Sequence, residues 1–288
     1  MRSTLTALAV LLAGCAAGPA PLALFDAHVH LNNPGMQLEL MQEYGVERAV
    51  IFWGRNSDNE SIAAFAAQHP SRFVAFASIS PERTAYRPYW QRDDLAIVAR
   101  LGELLASGRF RGIGEISVAH AATPGFPSTD FSPLSPVMRG ILDLARKHRL
   151  PVMVHCEAER TAELSQLLEA FPEVAVIWAH GGYTGASEAR RLLGRHPNLY
   201  YELSARTWPR HPRSADHSIR PAGELQASWR VLIEALPERF LVGSDASHHD
   251  PAMERMKLES VRDFLTELSP AARAHVAGGT LRRLLGEP

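Results

Sequence analysis

From residue 24 onward, short apolar runs alternate with longer stretches in which apolar residues recur at three- and four-residue spacing. The short runs lie at 24–30, 49–53, 73–79, 112–116, 152–155, 174–179, 199–203 and 240–244. They are rich in Val, Ile and Phe, as strands buried on both faces are. The stretches at 36–44, 60–69, 93–107, 136–148, 159–171, 187–195 and 222–236 predict amphipathic helices. A last helical region, 254–285, is divided by Ser269-Pro270. Gly45, His69-Pro70 and Gly108 supply helix stop signals. Near-regular alternation without a linker-like interruption predicts an α/β chain folded as a single-domain (β/α)8 TIM barrel over residues 23–288. A doubly wound open sheet is the alternative, and the regular spacing favours closure.

Composition narrows the class only modestly. A hydrophobic content of 46% provides for a sizeable core, and a formal net charge of −1 gives no global reason to expect nucleic acid. With two cysteines, no disulfide framework holds the chain together. The first of them, Cys15, has a specific context. Arg2 precedes an apolar stretch too short to span a bilayer, and Leu12-Ala13-Gly14-Cys15 resembles the lipobox of bacterial lipoproteins. That resemblance implies a signal peptide over 1–14, lipidation at Cys15 and a tether over 15–22. The chain is then lipid-anchored in the bacterial cell envelope, at the outer membrane or periplasmic face. Cys156 remains as an unpaired, buried thiol.

Chemistry gathers at the strand ends. His28 and His30 close the first apolar run two residues apart, so on a strand both imidazoles share a face and reach one divalent metal. Glu115 lies in the fourth run, His155 ends the fifth, His180 ends the sixth and Asp245 follows the eighth. In a barrel these ends converge on one mouth, where active sites of this architecture are built. Buried unpaired charges are costly, and a divalent cation satisfies them. Each residue also has a plainer reading: a core histidine at His155, a substrate-facing donor at His180, a helix cap at Asp245, a local hydrogen bond at Glu115. Nitrogen-rich donors with an open position make zinc the first choice, as one or two ions.

Asp26-Ala27-His28-Val29-His30, His155, His180-Gly181-Gly182 and Gly243-Ser244-Asp245 together resemble the amidohydrolase superfamily over nearly the whole chain. Trp178-Ala179-His180-Gly181-Gly182 is similar to its amidohydrolase-related branch of small-acid decarboxylases and lactonases. Gly114-Glu115-Ile116 is similar to the TatD-type hydrolases, where a strand-four glutamate helps bind a second metal. No lysine stands near the end of the fourth run, so the carboxylated-lysine bridge of the phosphotriesterase-like branch is absent.

The resemblance implies that His28, His30 and Asp245 surround one metal, with His155 completing that site or beginning a second. Metal-activated water then attacks an amide, ester or lactone of a small molecule. Asp245 would act as the base and His180 would polarise the substrate carbonyl or bind the second metal. A non-hydrolytic decarboxylase using the same face and a non-catalytic metal-binding lipoprotein are the alternatives. Arg206, nearest the seventh strand end in a cationic loop, is a candidate grip for a substrate carboxylate or phosphate. Trp53, with Arg55, Tyr86, Tyr89 and Trp90, is a candidate pocket wall, and the loop 117–132 a partial lid.

Overall fold

The apolar runs pair side by side in sequence order, the arrangement that helical crossovers between parallel strands favour. The computed structural model describes residues 22–79, 94–122 and 128–287. Within them lie β1 (Leu24–His30), β2 (Val46–Phe52), β3 (Phe73–Ala77), β4 (Gly112–His120), β5 (Thr129–Asp130), β6 (Val152–Cys156), β7 (Val176–Trp178), β8 (Leu199–Glu202) and β9 (Phe240–Leu241). All pair in parallel along β1-β2-β3-β4-β6-β7-β8-β9, except the short β5, which lies antiparallel on β4. Closure comes from backbone bonds between β1 and the segment after β9: Ala27 N–H to Val242 O at 2.9 Å and His30 N–H to Ala246 O at 2.8 Å. The expected barrel therefore forms.

The connecting helices are α1 (Pro34–Glu43), α2 (Asn59–Gln68), α3 (Ala96–Ala106), α4 (Pro136–His148), α5 (Thr161–Ala170), α6 (Ala186–Arg195), α7 (Ala227–Ala235) and α8 (Pro251–Thr266), followed by α9 (Pro270–Ala274) and α10 (Thr280–Leu284). Asn33, Asp58, Ser135, Asp250 and Ser269 cap their helices by accepting backbone N–H bonds. Alternate strand residues separate two cores. Ala49 and Ile51 face the helices with Leu101, Ile141 and Leu192. Phe25, Phe52, Phe76, Met153 and Ile177 fill the barrel itself. Among the described residues, no helix is long and apolar enough to cross a membrane.

Boundaries shift where local chemistry overrides the apolar pattern. The last strand stops at Leu241 instead of reaching 244, because Ser244 turns inward onto Asp26 and Asp245 takes a left-handed φ of 53°. The fourth runs on from 116 to His120, supported by β6 and β5. The final helix before β9 starts at Ala227, since Ala222 has a φ of 59°. The region 254–285 forms three helices instead of two. The signal segment with Cys15, the tether up to residue 21, and Tyr86, Tyr89 and Trp90 lie outside the described residues, as do 123–127 of the candidate lid.

Candidate functional site

His28 and His30 do point the same way. His28 Nε2 lies 3.7 Å from Glu115 Oε2 and 3.5 Å from Asp245 Oδ1, and His30 Nε2 lies 3.4 and 3.6 Å from the same two oxygens. Donors about 2.0–2.2 Å from a common ion stand roughly 3.0–3.6 Å from one another, so this spacing is that of a coordination shell. His28 Nε2 is fully buried without a hydrogen-bond partner. An imidazole nitrogen orphaned among two carboxylates is the signature of a cation's place, and a divalent metal fits it.

The other nitrogen of each ring fixes its tautomer. His30 Nδ1 donates to the Trp53 carbonyl at 3.0 Å, and His180 Nδ1 to the Ser204 carbonyl at 3.0 Å. His28 Nδ1 faces Glu202 Oε2 at 3.2 Å. Each ring therefore presents a bare Nε2 to the centre. His180 Nε2 lies 3.8 Å from Glu115 Oε1, the carboxylate oxygen turned away from His28 and His30. Glu115 thus faces two groups of candidate ligands, one through each oxygen. His155 differs: Nδ1 meets Glu115 Oε1 at 2.9 Å and Nε2 meets Glu157 Oε1 at 3.3 Å. Both of its nitrogens are spent on carboxylates.

The electrostatics say what the centre lacks. Burial works against charge on His28, yet the Glu115, Glu202 and Asp245 carboxylates prevail and hold it well above the usual histidine range. Burial likewise opposes charge on Glu115, and the facing histidines keep it ionised. His155 is raised to about 9 against its own burial by the hydrogen bonds it donates to Glu115 and Glu157. His180 is pushed down by burial, then by the charge on His155. Negative charge is in excess, and protons or a dication must balance it.

Residues to which the sequence assigned no role of their own hold this geometry. Glu202, fully buried at the end of β8, accepts from His28 Nδ1, from His180 N–H at 3.3 Å, and from Ser204 N–H and Oγ at 2.6 and 2.7 Å. Asp26 ties β1 to the last strand end, accepting from His28 N–H at 3.0 Å, Ser244 N–H at 2.9 Å and Ser244 Oγ at 2.6 Å. In sequence Glu202 shows only as an acidic residue inside an apolar strand, whereas Asp26 opens the motif that carries His28 and His30. The turn at His180-Gly181-Gly182 is left-handed throughout, with φ of 55°, 51° and 57°. A Cβ at Gly181 would lie 1.6 Å from the Tyr201 ring, and one at Gly182 would lie 2.4 Å from Cys156 O. Only glycine fits either position.

Above the centre opens a cavity of about 560 Å³, walled in part by Trp53, Tyr183, Trp208, Arg213 and Lys257. Arg206 is not brought to it. That guanidinium is buried beneath the loop, donating to Tyr201 Oη at 2.6 Å, Thr184 O at 2.9 Å and His180 O at 3.2 Å, so it braces the turn. Arg213 is the loop arginine that lines the cavity, paired through both terminal nitrogens with Glu157 at 2.6 and 2.8 Å.

A family model described as Amidohydrolase matches residues 25–286. Among solved structures, an uncharacterised TIM-barrel protein from Bordetella bronchiseptica superposes with a TM-score of 0.65 at 18% identity, covering 92% of this chain and 99% of that one. A dihydroxybenzoic acid decarboxylase from Polaromonas sp. JS666, with bound manganese and the inhibitor 2-nitroresorcinol, gives 0.59 at 13% identity, covering 92% and 97%. A "probable 2-pyrone-4,6-dicarboxylic acid hydrolase" from Acinetobacter baumannii, with citric acid bound, gives 0.55 at 13%, covering 91% and 99%. At these identities the likeness establishes the fold. A search of curated proteins finds no match.

Proposed function

The chain belongs to the amidohydrolase family, and from that premise we propose that it is a metal-dependent hydrolase of an amide, ester or lactone in a small molecule. The observation that carries this reading is the convergence of His28 Nε2, His30 Nε2, Glu115 Oε2 and Asp245 Oδ1 around an orphaned buried nitrogen. These four residues would hold one divalent cation, and the two imidazole donors among them favour zinc. The Glu115–His155–His180 group would hold a second once a His155 nitrogen gives up its carboxylate partner to the ion. When bound, the cation supplies Lewis acidity, acidifying water and polarising a carbonyl oxygen.

The protein's own groups do the rest. Asp245, partly exposed to the cavity and kept ionised against its burial by His28, His180 and Lys257, takes a proton from the attacking water and returns it to the leaving group. His180, with its proton committed to Ser204 O, offers a lone pair at Nε2, which suits a ligand better than a carbonyl-polarising donor. Trp53 and Trp208 limit water on the flanks of the cavity.

One observation favours the decarboxylase as a second reading. Flat rings at Trp53, Tyr183 and Trp208 line the cavity, a lining suited to a planar aromatic ring. A panel of esters, lactones, amides and aromatic acids, run with zinc- or manganese-loaded protein, separates the two. Oxygen-18 from water in the product marks hydrolysis, and carbon dioxide release without it marks decarboxylation. Turnover that survives both chelation and Asp245→Asn would sink either reading.

The N-terminal pattern supports a lipid anchor at Cys15 in the cell envelope. Cys15→Ser is expected to release the protein from the membrane fraction and abolish lipid labelling, and an unchanged membrane-bound fraction contradicts the anchor.

A further inference from the structure

Tyr183 continues the left-handed turn of His180, Gly181 and Gly182 with a φ of 56°. Glycine adopts this region freely, whereas a bulky aromatic residue there is strained and persists only where its surroundings over-determine it. Three imidazoles do so. The Tyr183 ring lies near-parallel to His180, with centroids 5.3 Å apart, and to His217 at 4.2 Å, and edge-on to His211 at 5.1 Å. The Arg213 guanidinium adds a contact 5.2 Å from the ring centroid.

The hydroxyl takes no part in this clamp. Among the described residues it makes no hydrogen bond, whereas the neighbouring Tyr201 hydroxyl accepts from Arg206 at 2.6 Å. Tyr183 is half-buried and shares the cavity wall with Glu115, Asp245 and His180. Two cationic donors of the wall are already engaged. Arg213 is held by Glu157, and Lys257 donates to Asp245 O at 2.7 Å and Glu254 Oε1 at 3.3 Å. A wall alone would be served equally by phenylalanine. A phenol, protonated at neutral pH, brings to the cavity a donor that no acceptor among the described residues satisfies, leaving it to water or to a bound ligand.

We propose that Tyr183 is a substrate-contacting residue whose hydroxyl donates to an anionic oxygen of the substrate, aimed by the strained turn and the histidine clamp. The role assigned rests on the metal-enzyme reading, but the binding test does not require turnover. Phenylphosphonate, a planar ring carrying a tetrahedral anion, is titrated calorimetrically into zinc-loaded wild-type, Tyr183→Phe and Tyr183→Leu proteins of measured metal content. Loss of a hydrogen bond to a charged group is expected to raise Kd about 10- to 100-fold in Tyr183→Phe. Tyr183→Leu should weaken binding at least as much. Wild-type affinity in Tyr183→Phe with loss only in Tyr183→Leu would mean the ring matters and the hydroxyl does not, which overturns the proposal. So would failure of the zinc-loaded wild-type protein to bind phenylphosphonate. Failure of the enzyme reading shows separately, as absent metal-dependent turnover while the contrast between wild type and Tyr183→Phe persists.

Discussion

Replacing Glu202 by glutamine changes one atom and tests how the centre is held. The carboxylate receives four donors: Ser204 N–H at Oε1, and His28 Nδ1, His180 N–H and Ser204 Oγ at Oε2. An amide keeps one acceptor oxygen. Placed at the Oε2 position, that oxygen retains three of the partners but sets its NH2 against Ser204 N–H, 2.6 Å from the atom it replaces. One buried donor is then unsatisfied, at a cost of about 1–3 kcal/mol in stability. The reverse orientation strands both His28 Nδ1 and His180 N–H and is worse. The effect on metal has a second source. A neutral oxygen polarises His28 less than a carboxylate does, and losing such a partner lowers metal affinity about 10- to 100-fold, or about 1.4–2.7 kcal/mol. Competition against a chromophoric zinc chelator reads the affinity, and thermal melting of the metal-free variant reads the stability. A folded Glu202→Gln protein that binds zinc within twofold of wild type would refute the orienting role.

Three further outcomes are expected. Gly181→Ala, which places a methyl group 1.6 Å from the Tyr201 ring at a φ of 51°, should cost about 2–5 kcal/mol by denaturant titration. Gly194→Ala in α6, where nothing lies within 4 Å, should gain about 0.5–1 kcal/mol, and equal effects at the two sites would contradict the packing account. Burial, then the neighbouring His217, pushes the His211 imidazole down to about 3. The unfolded chain therefore takes up a proton near pH 6.5 that the folded chain refuses, and stability drains as pH falls from there towards 3. His211→Gln should flatten that part of the acid-denaturation curve, and an unchanged slope would count against it. Cys156 is fully buried, and burial pushes its thiol up, so in the Cys15→Ser chain a thiol reagent should find nothing until the protein unfolds. Prompt labelling of native protein contradicts that burial.

The fold was legible because each unit carries its own periodicity, and eight units admit few arrangements. The sequence also exposed the residues whose chemistry is unusual in an apolar strand end: the His28–His30 pair, His155, His180 and Asp245. Glu202 escaped notice although it lay inside a predicted strand. Its role arises across the barrel, where β8 approaches β1 and β7, and no local spacing encodes that approach. Arg206 misled for a related reason. A cationic loop at the active face reads as substrate contact, but Tyr201 Oη and two carbonyls turn its guanidinium inward, leaving Arg213 at the cavity. The last strand was overextended because apolar Val242 continues the pattern, whereas the pull of Asp26 on Ser244 ends it.

The central claim is that His28, His30, Glu115 and Asp245 hold a divalent ion. Metal content by mass spectrometry, after chelation and reconstitution with zinc followed by gel filtration, tests it most directly. The expected result is at least one equivalent retained by the wild-type protein, with loss of most of it in a His28→Ala/His30→Ala variant that still shows cooperative unfolding. A wild-type protein that emerges with no metal, or a variant that retains as much as wild type, would contradict the account.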